Sequence, residues 1–154
     1  MTVAPLLVIE NVRGGYGDIT IVSDFTTTLD SGQVTCIAGR NGVGKTTTSI
    51  NLAASLAVAE KKTLLIDLDP QGNASAGVGL DAEQFKDSNI YHAMIGTTEI
   101  EKAIYKTELP YFDICPSDNN LTGAEIELVQ VFAREYKLKN AFATIADKYD
   151  YILI

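Results

Sequence analysis

The residues Gly39, Arg40, Asn41, Gly42, Val43, Gly44, Lys45 and Thr46 spell "GRNGVGKT", which satisfies the pattern GxxxxGK[ST] at every fixed place. Glycine at 39, 42 and 44 lets the backbone bend so that successive N–H groups point inward at phosphate oxygens. A helix starting near Lys45 would add its positive end to the same field. In this chemistry Lys45 bridges the β and γ phosphates of a nucleotide, the Thr46 hydroxyl ligates Mg2+, and Thr47 extends the cradle by one residue. The bland alternative is a glycine-rich turn that holds no ligand.

Two carboxylates follow. Asp67 and Asp69 in "LLIDLDPQGN" fall at the C-terminal end of an apolar run, the edge of an open α/β sheet where ligands bind. They have the chemistry to hold metal-bound water or to orient a water attacking a γ-phosphate. The competing reading is an aspartate that closes the turn before Pro70. Tyr16, in the glycine-rich "GGYGD", is an aromatic free to stack on a base or to be an ordinary surface tyrosine. Lys61 and Lys62 read as a solvated helix end, Glu125 and Glu127 as a helix surface, and His92 as a lone polar residue without a partner motif.

The elements that must position these residues can be read from periodicity. "PLLVIENV" and "DITIVSDFTTTL" read as an antiparallel hairpin around a glycine-rich turn, and "QVTCIAG" as a buried strand leading into the phosphate loop. After the loop, "TTTSINLAASLAVAEKK" places Ile50, Ala53, Ala54 and Ala57 on one helical face, and the run "TLLIDLD" returns as a strand. "PYFDICPS" and "YDYILI" predict two more buried strands. "TGAEIELVQVFAREYKLK" predicts a helix capped at Thr122, with Ile126, Val129, Ala133 and Tyr136 at helical spacing. Residues 72–106 predict a loop and two short helices. Strands alternating with helices imply a mainly parallel sheet. The expected fold is therefore α/β: a three-layer P-loop sandwich with about four mainly parallel strands and an N-terminal antiparallel hairpin, in one domain over residues 1–154.

Composition bounds the partners. The chain has 154 residues, 46% hydrophobic and 21% charged, enough for one globular core. A net charge of -8 argues against nucleic acid or anionic lipid as a partner, since both need clustered positive charge. No apolar run is long enough to span a bilayer and "MTVAPLLVIENV" lacks the features of a signal peptide, so the expectation is a cytoplasmic protein with no membrane partner. Cys36 and Cys115 both sit in strand-like apolar surroundings and read as buried reduced thiols.

Two family resemblances meet in the phosphate loop. The first 47 residues, through "GRNGVGKTT", resemble the start of an ABC-transporter ATPase domain, in which the aromatic at the place of Tyr16 stacks on adenine. From about residue 46, "KTTTSINLAASLAVAEKKTLLIDLDPQGNASAGVGL" and "PSDNNLTGAEIEL" resemble a ParA-type partition ATPase, a relative of the MinD-type enzymes. The join falls inside "GKTT", which both families share, and the pattern resembles an engineered chimera: residues 1–45 ABC-like, residues 46–154 ParA-like. The partition resemblance implies that Asp69 polarises the attacking water, with Lys45 beside it in catalysis, and that Asp67 supports the Mg2+ shell. It also implies that the strand "YDYILI" neighbours the loop strand and leads to the Walker B aspartate, which would follow Ile154. In that family a first lysine of the loop reaches across an ATP-bound dimer. Arg40 and Asn41 stand in the first two of those places here, keeping a charge but not that geometry, while still allowing a homodimer.

These readings converge on binding of ATP or ADP with Mg2+, with hydrolysis weak or absent. Losing one charge-stabilising contact of that kind costs on the order of a hundredfold in rate. The rival expectation is a folded scaffold with no nucleotide-dependent activity.

Overall fold

The computed structural model describes residues 7–16, 19–29, 44–123 and 142–154. The chain divides into two compact units, Met1–Thr48 and Ser49–Ile154.

In the first unit, β1 (Leu7–Tyr16) and β2 (Ile19–Leu29) pair antiparallel. β1 runs straight through "RGGY", so Tyr16 is its last residue, opposite Ile19, rather than part of a glycine-rich loop. The register slips between Ile9 and Val12, where Asn11 takes a left-handed φ of 53° and its N–H reaches Thr26 Oγ1 at 3.1 Å. Asparagine tolerates that conformation better than most side chains, which suits it to a bulge.

In the second unit, four strands order as β4 (Tyr105–Lys106), β5 (Phe112–Cys115), β3 (Thr63–Ile66) and β6 (Tyr151–Leu153). β3 pairs parallel with β5 and with β6, while β4 closes the far edge antiparallel. This is the expected mainly parallel α/β sheet. Alternation along the strands divides the core. Leu65, Phe112 and Ile114 face helix α1 (Lys45–Val58) through Ala53 and Ala57. Leu64, Ile66 and Cys115 face the opposite layer with Ile90, Ile100, Ala103 and Ile145. β3 is buried along its whole length because both faces are covered, as a parallel strand requires. The face expected for α1 holds, with Ile50 and Ala54 half-buried and Leu56 joining the buried set.

Three features differ from expectation. Residues 72–106 carry three short α-helices, α2 (Asn73–Gly77), α3 (Ala82–Phe85) and α4 (Ile90–Ile95), and a 3-10 turn at Ile100–Ala103. Local side-chain caps open two of them: Asp81 and Gln84 form a capping box at α3, and Asn89 accepts from Tyr91 N–H at α4. β6 is half-buried rather than buried, and β3 is its one pairing partner among the described residues. Thr122, expected to cap a helix, already lies inside the helical turn at 121–123; the remainder of that helix, the strand "QVTCIAG" and Cys36 lie outside the described residues. So does the expected pairing of that strand with β6.

Candidate functional site

Of the phosphate-loop residues, Gly39, Arg40, Asn41, Gly42 and Val43 lie outside the described residues; Gly44, Lys45, Thr46 and Thr47 lie within them. Gly44 has φ 88°, a conformation that a side chain would strain, and it sits directly before α1. Its carbonyl accepts both the N–H and the hydroxyl of Thr48, each at 2.8 Å, which closes the first turn of the helix. Lys45, Thr46 and Thr47 are therefore the first three helical residues, half-buried, at the end where the macrodipole is positive. Tyr16 belongs to the hairpin, as described above.

Asp67 and Asp69 follow β3 immediately, and the fold treats them differently. Asp67 is only 4% exposed. Its Oδ1 accepts Asp69 N–H at 3.0 Å, and its Oδ2 accepts the N–H and hydroxyl of Ser75 at 2.9 and 2.8 Å. Asp69 is exposed. Its Oδ1 accepts Gln71 N–H and its Oδ2 accepts Asn73 Nδ2, each at 3.0 Å, while its carbonyl accepts Gly72 N–H at 2.8 Å. Asp69 thus closes the turn around Pro70 with one carboxylate oxygen and its own carbonyl, yet remains open to solvent.

Two serines that sequence reasoning missed complete this corner. Ser117, 1% exposed in the loop after β5, donates its hydroxyl to the Asp69 carbonyl and its N–H to Ser75 Oγ at 3.2 Å. Gly72 packs under the same loop at φ 61°, where a Cβ would come within 2.8 Å of the Ser117 carbonyl oxygen. The only sequence signal was the closeness of "PSDNNL" to a family phrase. Nothing in residue type links Ser75 to a partner 42 positions away.

His92 also has partners. The Asn89 amide nitrogen faces the carbonyl of Phe85 and Asp118 Oδ2, so its oxygen faces Tyr91 N–H and, at 3.0 Å, His92 Nδ1. That orientation assigns the proton to His92 Nδ1. Among the described residues no cluster of three or more His, Cys, Asp or Glu side chains is arranged to hold a metal ion, and no helix is long and apolar enough to cross a membrane. Cys115 is a free, buried thiol.

Comparison with known proteins places these features in a family context. A family model described as "AAA domain" matches residues 31–154. The chain is 48% identical over 124 residues to the chromosome partitioning protein ParA of Myxococcus xanthus, covering 80% of this chain and 44% of that protein. It is 42% identical over 115 residues to the sporulation initiation inhibitor protein Soj of Bacillus subtilis, covering 75% and 45%. Among solved structures it resembles cobyrinic acid a,c-diamide synthase from Mycobacterium smegmatis with bound ADP and magnesium, with TM-score 0.72 and 32% identity over 76% of this chain and 47% of that one. It also resembles the septum site-determining protein MinD with Mg-ADP from Pyrococcus horikoshii, with TM-score 0.62 and 29% identity over 77% and 45%. The chain spans less than half the length of these proteins.

Proposed function

The chain belongs to the AAA-domain family of ParA/MinD-type partition ATPases, and we propose on that premise that residues 39–47 bind ATP or ADP together with Mg2+. The observation that carries the proposal is the opening of α1: a glycine in a positive-φ conformation, followed at once by Lys45 and Thr46 at the positive end of a fourteen-residue helix. The partition-ATPase resemblance supplies the metal reading: it makes the Thr46 hydroxyl a ligand and Asp67 a support of the Mg2+ shell, both oxygen donors of the kind that Mg2+ takes directly or through water. Bound there, Mg2+ would neutralise charge on the phosphates. Lys45 holds the phosphates, Thr46 offers its hydroxyl to the ion, and the exposed carboxylate of Asp69 is the group available to a water at the γ-phosphate. Asp67, buried and committed to three donors, acts by holding the turn that presents Asp69.

The deciding experiment is a calorimetric titration of nucleotide-free protein with Mg·ATP beside Lys45→Ala. Saturable binding that the variant loses supports the proposal. A folded chain that binds no nucleotide refutes it and leaves the scaffold reading.

A finer proposal concerns the first unit. The β1–β2 hairpin lies N-terminal to the family match, which begins at residue 31, upstream of the join inside "GKTT". That match overturns the ABC-like reading of residues 31–45 and a join inside "GKTT"; for residues 1–30 alone the ABC-like resemblance, and the chimera with it, stays a proposal resting on the sequence wording. Tyr16 at the hairpin tip is the proposed adenine platform, and Tyr16→Ala should weaken ATP binding without affecting inorganic triphosphate. A homodimer in the presence of ATP, a cytoplasmic location and the absence of a DNA partner complete the proposal. Light scattering with and without nucleotide tests the dimer.

A further inference from the structure

The hydrogen bonds around Asp67 and Asp69 form a closed circuit. Ser117 N–H donates to Ser75 Oγ, the Ser75 hydroxyl donates to Asp67 Oδ2, Asp69 N–H donates to Asp67 Oδ1, and the Ser117 hydroxyl donates to the Asp69 carbonyl. The circuit joins three separate pieces of chain: the turn after β3, the start of α2 and the loop after β5. It is water-excluded on one side, with Ser75, Ser117 and Asp67 all buried, and open on the other, where Asp69 emerges. Among the described residues no buried side-chain nitrogen or oxygen lacks a partner, so the buried members of the circuit are fully satisfied. Gly72 adds a steric contact to the same joint, because its missing Cβ is what lets the turn lie against the Ser117 carbonyl.

We propose that Ser117 is a positioning residue for the Mg2+-nucleotide site: through the Asp69 carbonyl and the Ser75–Asp67 pair, it fixes the turn that aims the Asp69 carboxylate. The proposal rests on the nucleotide-binding reading above and adds to it a residue 48 positions from its target, on a different strand's loop. Its consequence is specific. The four bonds of the circuit run among Asp67, Asp69, Ser75 and Ser117, so the loss of Ser117 should weaken the metal-linked part of binding and spare the rest.

The test compares the full chain with Ser117→Ala, Ser117→Thr, Gly72→Ala and Ser75→Ala, each checked by melting. Affinity for a non-hydrolysable ATP analogue is titrated twice, with Mg2+ and with EDTA. The unchanged chain should bind more tightly with Mg2+. Ser117→Ala should reduce that gain about fivefold, the usual worth of one such hydrogen bond, with the EDTA affinity unchanged. Ser117→Thr keeps the hydroxyl and should keep the gain. Gly72→Ala and Ser75→Ala perturb the joint from its other sides and should reproduce the loss, which also decides the question if Ser117→Ala does not fold. Equal losses with Mg2+ and EDTA would mean a merely structural serine and overturn the proposal, as would an undiminished Mg2+ gain in all three disruptive variants. An unchanged chain that binds no analogue under either condition overturns the nucleotide reading itself, and this inference with it.

Discussion

Burial pushes the Cys115 thiol up from 9.0 to about 12, and the Asp67 carboxylate nearby adds to the shift. Burial also raises Tyr149, followed by its hydrogen bond to Asp113 and the charge of that carboxylate. Both groups hold their protons more tightly folded than unfolded. Their contribution to stability is therefore complete below about pH 9, the ordinary thiol value, and is lost as pH climbs toward 12. Denaturant midpoints should be flat from neutrality to that point and fall above it. Iodoacetamide at mildly alkaline pH should modify the Cys115 peptide only in denaturant, as peptide mass spectrometry would read. Asp113 is almost fully buried and accepts Tyr149 OH at 2.8 Å and Lys106 Nζ at 2.7 Å, but the lysine side chain is 85% exposed. Tyr149→Phe should thus cost about 1.5–3 kcal/mol in urea unfolding, and Lys106→Ala less than about 1 kcal/mol. Residue type alone pointed to Asp67 and Asp69, because paired carboxylates after an apolar strand are a local pattern. It was silent on Ser75, Ser117 and Asn89, whose importance comes only from partners that folding brings to them.

Helix α1 ends on a left-handed residue. Lys61 N–H reaches the Leu56 carbonyl at 3.0 Å and Glu60 N–H reaches that of Ala57 at 2.9 Å, with Glu60 at φ 59°. This is a Schellman motif with a glutamate where glycine is preferred. Glu60→Gly should stabilise the chain by about 0.5–1 kcal/mol, seen as a raised urea midpoint with unchanged slope. At the start of α4, the buried amide of Asn89 serves Tyr91, His92, Phe85 and Asp118 together. Asn89→Ala should cost at least about 2 kcal/mol, more than an exposed cap. Helix α1 and the strand β3 that follows it were legible because alanine spacing and the run "TLLI" each fit one period. Short helices were expected in residues 72–106, but their number and bounds were not legible, since four to six residues are too few to display a period. β4, two residues long, is defined by its pairing with β5 rather than by its own composition.

At the scale of the molecule, the family match and the compact units divide the chain at different places, residue 31 and residue 48. If the hairpin adds only a base platform, residues 31–154 alone should keep phosphate-dependent binding and lose only the share due to Tyr16. Calorimetry with ATP and with inorganic triphosphate on that shortened chain would separate the two. The parallel sheet was legible from alternation of element types, whereas the division into units was not, because no linker-like composition marks it.

The neighbours of β3 also set a timetable. Leu64 pairs with Asp113 on one side and Ile152 on the other, so the central strand of the sheet waits for partners about fifty and ninety residues downstream. Such high contact order slows folding. On the ribosome, β3 and α1 emerge long before residues 151–153. Until those arrive, one edge of this fully buried strand stays unsheltered, and the nascent chain in that interval is the form most exposed to aggregation and most in need of a chaperone.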